Sequence, residues 1–193
     1  MANVIAPRGF RPVCDKSGRP FTGAGTRYYK DATAGIIGIG DPVIRGTNSS
    51  DPEGGPEIVR ATTGAAITGV VIGIEPVRSD LSKKHLAAAD TGYVIVADDP
   101  DLLFEVQEGT GGTALAVTNV GQHIDSIAAI NADTTTGQSK YAIDNAAVAL
   151  DNTFRIERLV NRPDNAVGDA ASWLVSANLH TEVNASASTR TEI

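Results

Sequence analysis

The sequence predicts an all-β protein, built as an antiparallel β-sandwich or barrel, with a jelly-roll-like arrangement as one option. Glycine (20) and proline (9) together account for 29 of the 193 residues and are scattered, which is typical of short strands joined by turns. Several segments are rich in β-branched residues and alternate between apolar and polar side chains. No segment has a helical periodicity longer than about two turns. The length indicates one domain, large enough to bury about 70% of its unfolded surface.

The first half of the body contains four strand-like segments. Strands are predicted at 26–30 (TRYYK), as a bent pair within 35–45 (GIIGIGDPVIR), at 57–62 (EIVRAT) and at 67–76 (ITGVVIGIEP). The last of these is β-branched and apolar on both faces. We therefore expect it to be a central strand, buried on both sides.

The most regular stretch is YVIVADDPDLLFEVQEG, residues 93–109. YVIVA predicts one strand, and alternation from Leu102 predicts a second, with Leu102, Phe104 and Val106 on its apolar face. Aspartate and proline form turns, so DDPD predicts the connection between the two strands. Further strands are predicted at 123–128, 140–143, 153–160 and 172–179, which makes about eight to ten in all.

The two ends of the chain differ in composition from the body. Residues 1–25 are rich in proline, glycine and arginine and predict an extended basic arm, followed by a β-rich body at 26–180. Residues 181–193 have the serine, threonine and alanine content of a C-terminal tail. We expect the body to fold without the arm.

Charge is divided unevenly along the chain. Residues 1–30 hold six bases and one acid, for a net charge of +5, whereas the other 163 residues hold ten bases and 22 acids, for −12. This division predicts that the arm contacts its own body, another copy of the chain or a different acidic partner. The total of −7 argues against general nucleic-acid binding. No apolar run approaches 18 residues and the start lacks a signal-peptide pattern, so we expect neither membrane insertion nor secretion.

The acids Asp98, Asp99 and Asp101 are the strongest candidates for a chemical site. Three interpretations of these acids are open: a catalytic carboxylate pair, a calcium loop and a strand connection. DDPD lacks the D-x-[DN]-x-[DN]-G calcium frame. Aromatic residues make up only 5% of the chain, which leaves few for a sugar-binding cleft. A turn is therefore favoured, and calcium binding stays open.

The remaining reactive side chains are isolated in the sequence. His85, His123 and His180 lie far from one another, without a second ligand at metal-binding spacing. Cys14 is the single cysteine, so it can form neither an internal disulfide nor a zinc site by itself. We therefore expect a protein that is not an enzyme and carries no cofactor.

Several segments, taken in order, resemble the capsid cement (decoration, or head-stabilising) proteins of tailed bacteriophages. The resemblance covers roughly residues 5–180, but it does not include the tail after His180 or the KYAIDNAAVALDN region. The segments that carry it are APRGFRPV, GRPFTGAGTRYY, GDPV, ITGVVIGIEP, YVIVADDPDLLFEVQE and LVNRPDNAVGDAASWLVSANLH.

The resemblance implies a structural role outside catalysis. Proteins of this family bind the outer face of the assembled capsid, across junctions between copies of the major capsid protein, and oppose the pressure of packaged DNA. It implies the virion surface as location, with the major capsid protein and further copies of this chain as partners. The alternative is a carbohydrate-binding module on the head surface that aids attachment to the host.

The basic arm is the expected contact with the partner. Arginine forms bidentate pairs with carboxylates and phenylalanine supplies apolar anchors. Packing of the arm on its own body is the competing interpretation. The residues expected to bind the partner are Arg8, Phe10, Arg11, Arg19, Phe21 and Arg27.

Overall fold

The structure, a computed structural model, describes residues 3–77, 80–127, 131–148 and 152–183. The predicted all-β class is confirmed: these residues form eleven strands and one short 3₁₀ turn at Val117–Asn119. None of the helices in these ranges is long and apolar enough to cross a membrane. In chain order the strands are β1 (Arg11–Asp15), β2 (Thr26–Lys30), β3 (Pro42–Arg45), β4 (Glu57–Arg60), β5 (Gly69–Ile74), β6 (Gly92–Ala97), β7 (Leu102–Gln107), β8 (His123–Ser126), β9 (Ile143–Val148), β10 (Phe154–Leu159) and β11 (Ser172–Ala177).

The strands form a closed barrel and a separate sheet. The barrel has five strands in the order β2-β4-β3-β5-β6, and its β2–β4 pair is parallel. The sheet has six antiparallel strands in the order β1-β7-β11-β10-β8-β9. The barrel is one of the two architectures that the sequence left open, and a single six-stranded sheet accompanies it.

Two apolar cores follow from this arrangement. One fills the barrel around Val71 and Val94. The other, around Trp173 and Phe104, includes Val70 of the barrel and so joins barrel and sheet. Because Val70 and Val71 lie in different cores, β5 is buried on both sides at this point, as its composition predicted.

The stretch at 93–109 contains the two predicted strands but not a hairpin. Leu102, Phe104 and Val106 are buried, which confirms the predicted alternation in β7. However, β6 belongs to the barrel and β7 to the sheet, so the DDPD segment carries the chain from one to the other. The strand expected at 140–143 begins only at Ile143. Tyr141 is instead a core residue, whose hydroxyl donates to the carbonyl of Ala61 at 2.7 Å.

The prediction of an arm separate from the body was wrong for its middle part. β1 is an edge strand of the sheet and pairs with β7. Phe10 is 1% exposed and stacks on Phe154, with ring centroids 4.4 Å apart. The following residues fold back, since the amide of Phe21 donates to the carbonyl of Val13 at 2.9 Å. Burial of a whole phenylalanine ring favours this docking, so the body is not complete without the segment.

A close backbone approach fixes the segment in place. The amide of Phe10 donates to the carbonyl of Gly40 at 2.9 Å. Gly9 has φ +72°, and a Cβ there would overlap both this carbonyl and the side chain of Ser139. Only glycine can adopt this positive φ and also leave room for the carbonyl of Gly40 and the side chain of Ser139.

The predicted C-terminal tail is described only at its start. The amide of Thr181 donates to the carbonyl of Ile67 at 2.9 Å, which ties residue 181 to the barrel. Residues 184–193 lie outside the described residues, so the tail remains a prediction.

Candidate interaction surface

The three aspartates of the DDPD segment each contact a different partner within this chain. Asp98 accepts a hydrogen bond from the Tyr28 hydroxyl at 3.0 Å. Asp99 accepts one from the amide of Asp101 at 2.9 Å, which is an Asx turn. The carboxylate of Asp101 lies 3.6 Å from the ammonium of Lys16. Within the described ranges, no three metal-binding side chains converge here or elsewhere.

Several ionisable side chains are buried, and two of them, Lys30 and Glu108, illustrate how such groups act within the fold. Lys30 is fully buried, and its ammonium donates to the carbonyls of Asp31, Ala87, Ala88 and Asp90 at 2.7–3.2 Å. Burial lowers the pKa of Lys30. This cation thereby holds the 87–90 turn against β2.

The second buried group is Glu108. One of its oxygens accepts a hydrogen bond from the indole of Trp173 at 2.8 Å, and the other has no such partner among the described residues. Burial raises the pKa of Glu108 to about 7, although the indole donor favours the charged form.

Four of the six residues expected to bind a partner are committed to this chain's own fold. Phe10 is in the core, and Phe21 is half-buried against it. Arg19 pairs with Asp15 at 2.6 Å.

Arg27 lies in β2, where it pairs with Glu53 and Glu75, both at 2.7 Å, and its guanidinium stacks 3.3 Å above the ring of Tyr93. It therefore belongs to the barrel and not to an arm.

Arg8 and Arg11 remain available to bind a partner. Both are exposed, and neither has an ion pair among the described residues. Arg11 lies in the edge strand β1, directly after the buried Phe10. Burial of Phe10 on one face of the segment thus presents Arg11 on the other.

The sheet places further arginines beside Arg11. Strand register sets Arg11 opposite Glu105, Glu105 opposite Leu174, and Leu174 opposite Arg158, in one row across four strands. The adjacent row ends with Ser176 opposite Arg155.

Since Phe104 and Val175 point into the core, these two rows form the outer face of the sheet. We call this surface, together with Arg8 and Arg162 at its border, the arginine face. Arg162 follows β10 and pairs with Glu105 and Asp164. Arg155 lies 4.0 Å from Glu157, whereas Arg158 has no ion pair within the described part of the chain.

The sequence contained part of this signal. The alternation in TFRIERLV predicts Arg155 on the face opposite Phe154 and Ile156. Arg158 reaches the same face as Arg155 only because the strand register shifts between Ile156 and Arg158. The alternation did not show that Arg11 would lie on the same surface, because the sequence does not give the order of strands in a sheet.

A groove borders the arginine face. One wall is an extended segment at residues 3–9, which we call the strap, and the other is the loop at 161–170. The floor is formed by Glu105, Val106, Gln107 and Ser172, and the volume is about 510 Å³.

The strap is held at its start by hydrogen bonds. Asn3 donates to the carbonyls of Ala166 and Asp169 at 2.8 and 2.9 Å and accepts from the amide of Ala166 at 3.0 Å. The side chain of Gln107 donates to the carbonyl of Val4 and accepts from the amide of Ala6, both at 2.8 Å. These polar contacts leave the side chains of Val4 and Ile5 facing solvent, 78% and 67% exposed.

The chain was compared with protein-family models, curated proteins and solved structures, and none of them matches it.

Proposed function

We propose that this protein is a structural component of a tailed-bacteriophage head, which binds the outer capsid surface across junctions between capsid subunits and stabilises the head against internal DNA pressure. The observation that carries the proposal is the arginine face, where five exposed arginines outnumber the three acids that pair with Arg155 and Arg162, on a chain of net charge −7. Five arginines from the strap, two strands and a loop share one side of the sheet. Such a surface suits binding to an acidic partner surface.

The resemblance of the ordered segments to capsid cement proteins supports the same function. Two of those segments, APRGFRPV and LVNRPDNAVGDAASWLVSANLH, form the strap, β1, the 161–170 loop and β11, which build the groove and much of the face. The major capsid protein is the proposed partner, with further copies of this chain beside it on the shell.

The mechanical role follows from simultaneous attachment. A protein bound on both sides of a joint adds its own binding free energy to the cost of opening that joint. Many copies act together over a closed shell. No observation favours the carbohydrate-binding alternative, since the aspartates that suggested it have partners within this chain.

The test compares DNA-filled heads with and without bound protein during heating. We expect bound protein to raise the temperature of DNA release. The triple variant Arg8→Gln, Arg11→Gln, Arg158→Gln should sediment free of the heads, whereas Arg45→Gln, a charge loss on the barrel, should bind as the parent does. Equal release temperatures with and without the parent protein would rule out the stabilising role.

A further inference from the structure

The groove between the strap and the 161–170 loop has charged groups without partners, and they are of one sign. Glu105 and Asp164 both pair with Arg162. Of the charged side chains that line the groove within the described residues, this leaves Arg8 and Arg11 without an ion pair.

The neutral polar side chains of the groove are already used. The amide of Gln107 also donates to the carbonyl of Ala170, so its donors and its acceptor are all engaged. Asn165 donates to the carbonyls of Val160 and Ser172 and accepts from the amide of Ser172. Apart from the hydroxyl of Ser172, which accepts from Arg162 at 3.4 Å, these contacts leave the two free guanidinium groups as the side chains that can recognise a ligand of this groove.

We infer that the groove binds an extended acidic segment of a protein partner, with a carboxylate held by Arg8 and Arg11. A guanidinium presents five N–H donors in a planar fork, which matches the two oxygens of a carboxylate. The volume of about 510 Å³ lies within the range of ligand-binding clefts, roughly 300–1,000 Å³. An extended segment fits because the walls and floor are a strap without helix and the strand β7.

Exposed apolar side chains on the strap and on the opposite loop define the segment further. Val4 lines the groove, whereas Ile5 and Val167 lie within two residues of lining residues in the chain. Val4 and Ile5 are exposed on the strap, and Val167 is 45% exposed on the opposite loop, whose Ala166 pairs with Asn3. A partner residue next to the carboxylate can bury these groups. The matching sequence is therefore an acid flanked by aliphatic residues.

A nucleic acid fits the same arginines less well. Double-stranded DNA carries one negative charge per about 1.7 Å, and binding it requires many cations in a row. The groove provides only two unpaired arginines as cations. The chain has a net charge of −7, so the rest of it repels a polyanion.

The inference deepens the proposed function, on which the identity of the partner rests, but the chemistry of the groove can be tested without heads. The probe is a fluorescent synthetic peptide of alternating valine and glutamate, compared with the same peptide carrying glutamine and with a single-stranded oligonucleotide of equal length. Binding is measured by fluorescence anisotropy at low ionic strength.

We expect the glutamate peptide to bind about tenfold more tightly than the glutamine peptide, as charge-assisted hydrogen bonds do. The Arg8→Gln/Arg11→Gln variant should lose this difference, while the Arg45→Gln control should keep it. Arg8, Arg11 and Arg45 are exposed, so the double variant and its control are both expected to fold.

Equal binding of the two peptides, tighter binding of the oligonucleotide, or an equal loss in the control would overturn the inference. The outcomes also separate it from the proposed function. Peptide binding without decoration of heads would contradict only the proposed function. Full decoration of heads by the Arg8→Gln/Arg11→Gln protein, although it no longer distinguishes the two peptides, would contradict the groove as the contact with the head.

Discussion

Replacement of Phe10 by alanine tests whether the N-terminal segment is part of the body. Phe10 is 1% exposed and stacks on Phe154 at 4.4 Å between ring centroids. A buried phenylalanine replaced by alanine costs about 3–5 kcal/mol, and a lost ring pair adds to the cost of lost burial. Since a domain is stable by only about 5–15 kcal/mol, Phe10→Ala should remove a large part of the stability.

Urea unfolding followed by tryptophan fluorescence measures this effect. Trp173 is the single tryptophan, is fully buried and belongs to the same core as Phe10. With a denaturant slope of about 1–3 kcal/mol per molar urea, a loss of about 4 kcal/mol lowers the midpoint by roughly 2 M. The deletion of residues 1–25 removes this ring and β1 together, so it should unfold the body and not merely detach an arm.

Arg11→Ala is the matched control, because it changes the next residue on the exposed side of the same segment. Its free energy of unfolding should stay within about 0.5 kcal/mol of the parent value. If Phe10→Ala shifts the midpoint no more than Arg11→Ala does, the segment is an arm after all, and the assignment of Phe10 to the core is refuted.

Two further predictions concern the buried charges. Burial raises the pKa of Glu108 to about 7 from an ordinary value near 4.5. The folded protein therefore holds the proton of Glu108 more tightly than the unfolded chain does, and the free energy of unfolding should fall as pH rises from about 4.5 to 7. Glu108→Gln keeps an acceptor for Trp173 without the charge. It should raise the free energy of unfolding by up to about 3 kcal/mol at pH 8 and change it little at pH 4. An equal gain at both pH values would contradict the titration of Glu108. Lys30→Met should destabilise the protein by about 3 kcal/mol, because it leaves several partly buried carbonyls without a donor. Hydrogen exchange should become faster at residues 87–90. Lys83→Met is its control, since this partly exposed pair with Asp90 should contribute only about 1 kcal/mol, and equal losses in the two lysine variants would contradict the role given to Lys30.

Local patterns predicted the strands well where alternation is regular. Leu102, Phe104 and Val106 form the buried side of β7 as their spacing indicated. DDPD was predicted to form a turn, and within it Asp99 accepts a hydrogen bond from the amide of Asp101. The partners of Asp98 and Asp101, which are Tyr28 and Lys16, are remote in sequence and were not predicted. Whether that turn closes a hairpin or crosses between sheets was not predictable, because the same turn chemistry serves both connections.

Phe10 shows where the sequence was misleading. A single aromatic between arginines, in a segment rich in proline and glycine, has no periodicity to mark it as a core residue. Its burial depends on Phe154 and on the carbonyl of Gly40, which lie far away in the chain. The candidate site was therefore predicted in part: Arg8 and Arg11 were named, but Arg155, Arg158 and Arg162 were not.

The sequence by itself determined the all-β class, the position of most strands and the role of the acidic turn, because alternation and turn chemistry act between neighbouring residues. The tertiary structure alone decided that Phe10 lies in the core and that arginines from both ends of the chain share one face. Burial and charge clustering depend on distances between residues that are remote in sequence, and strand order sets those distances.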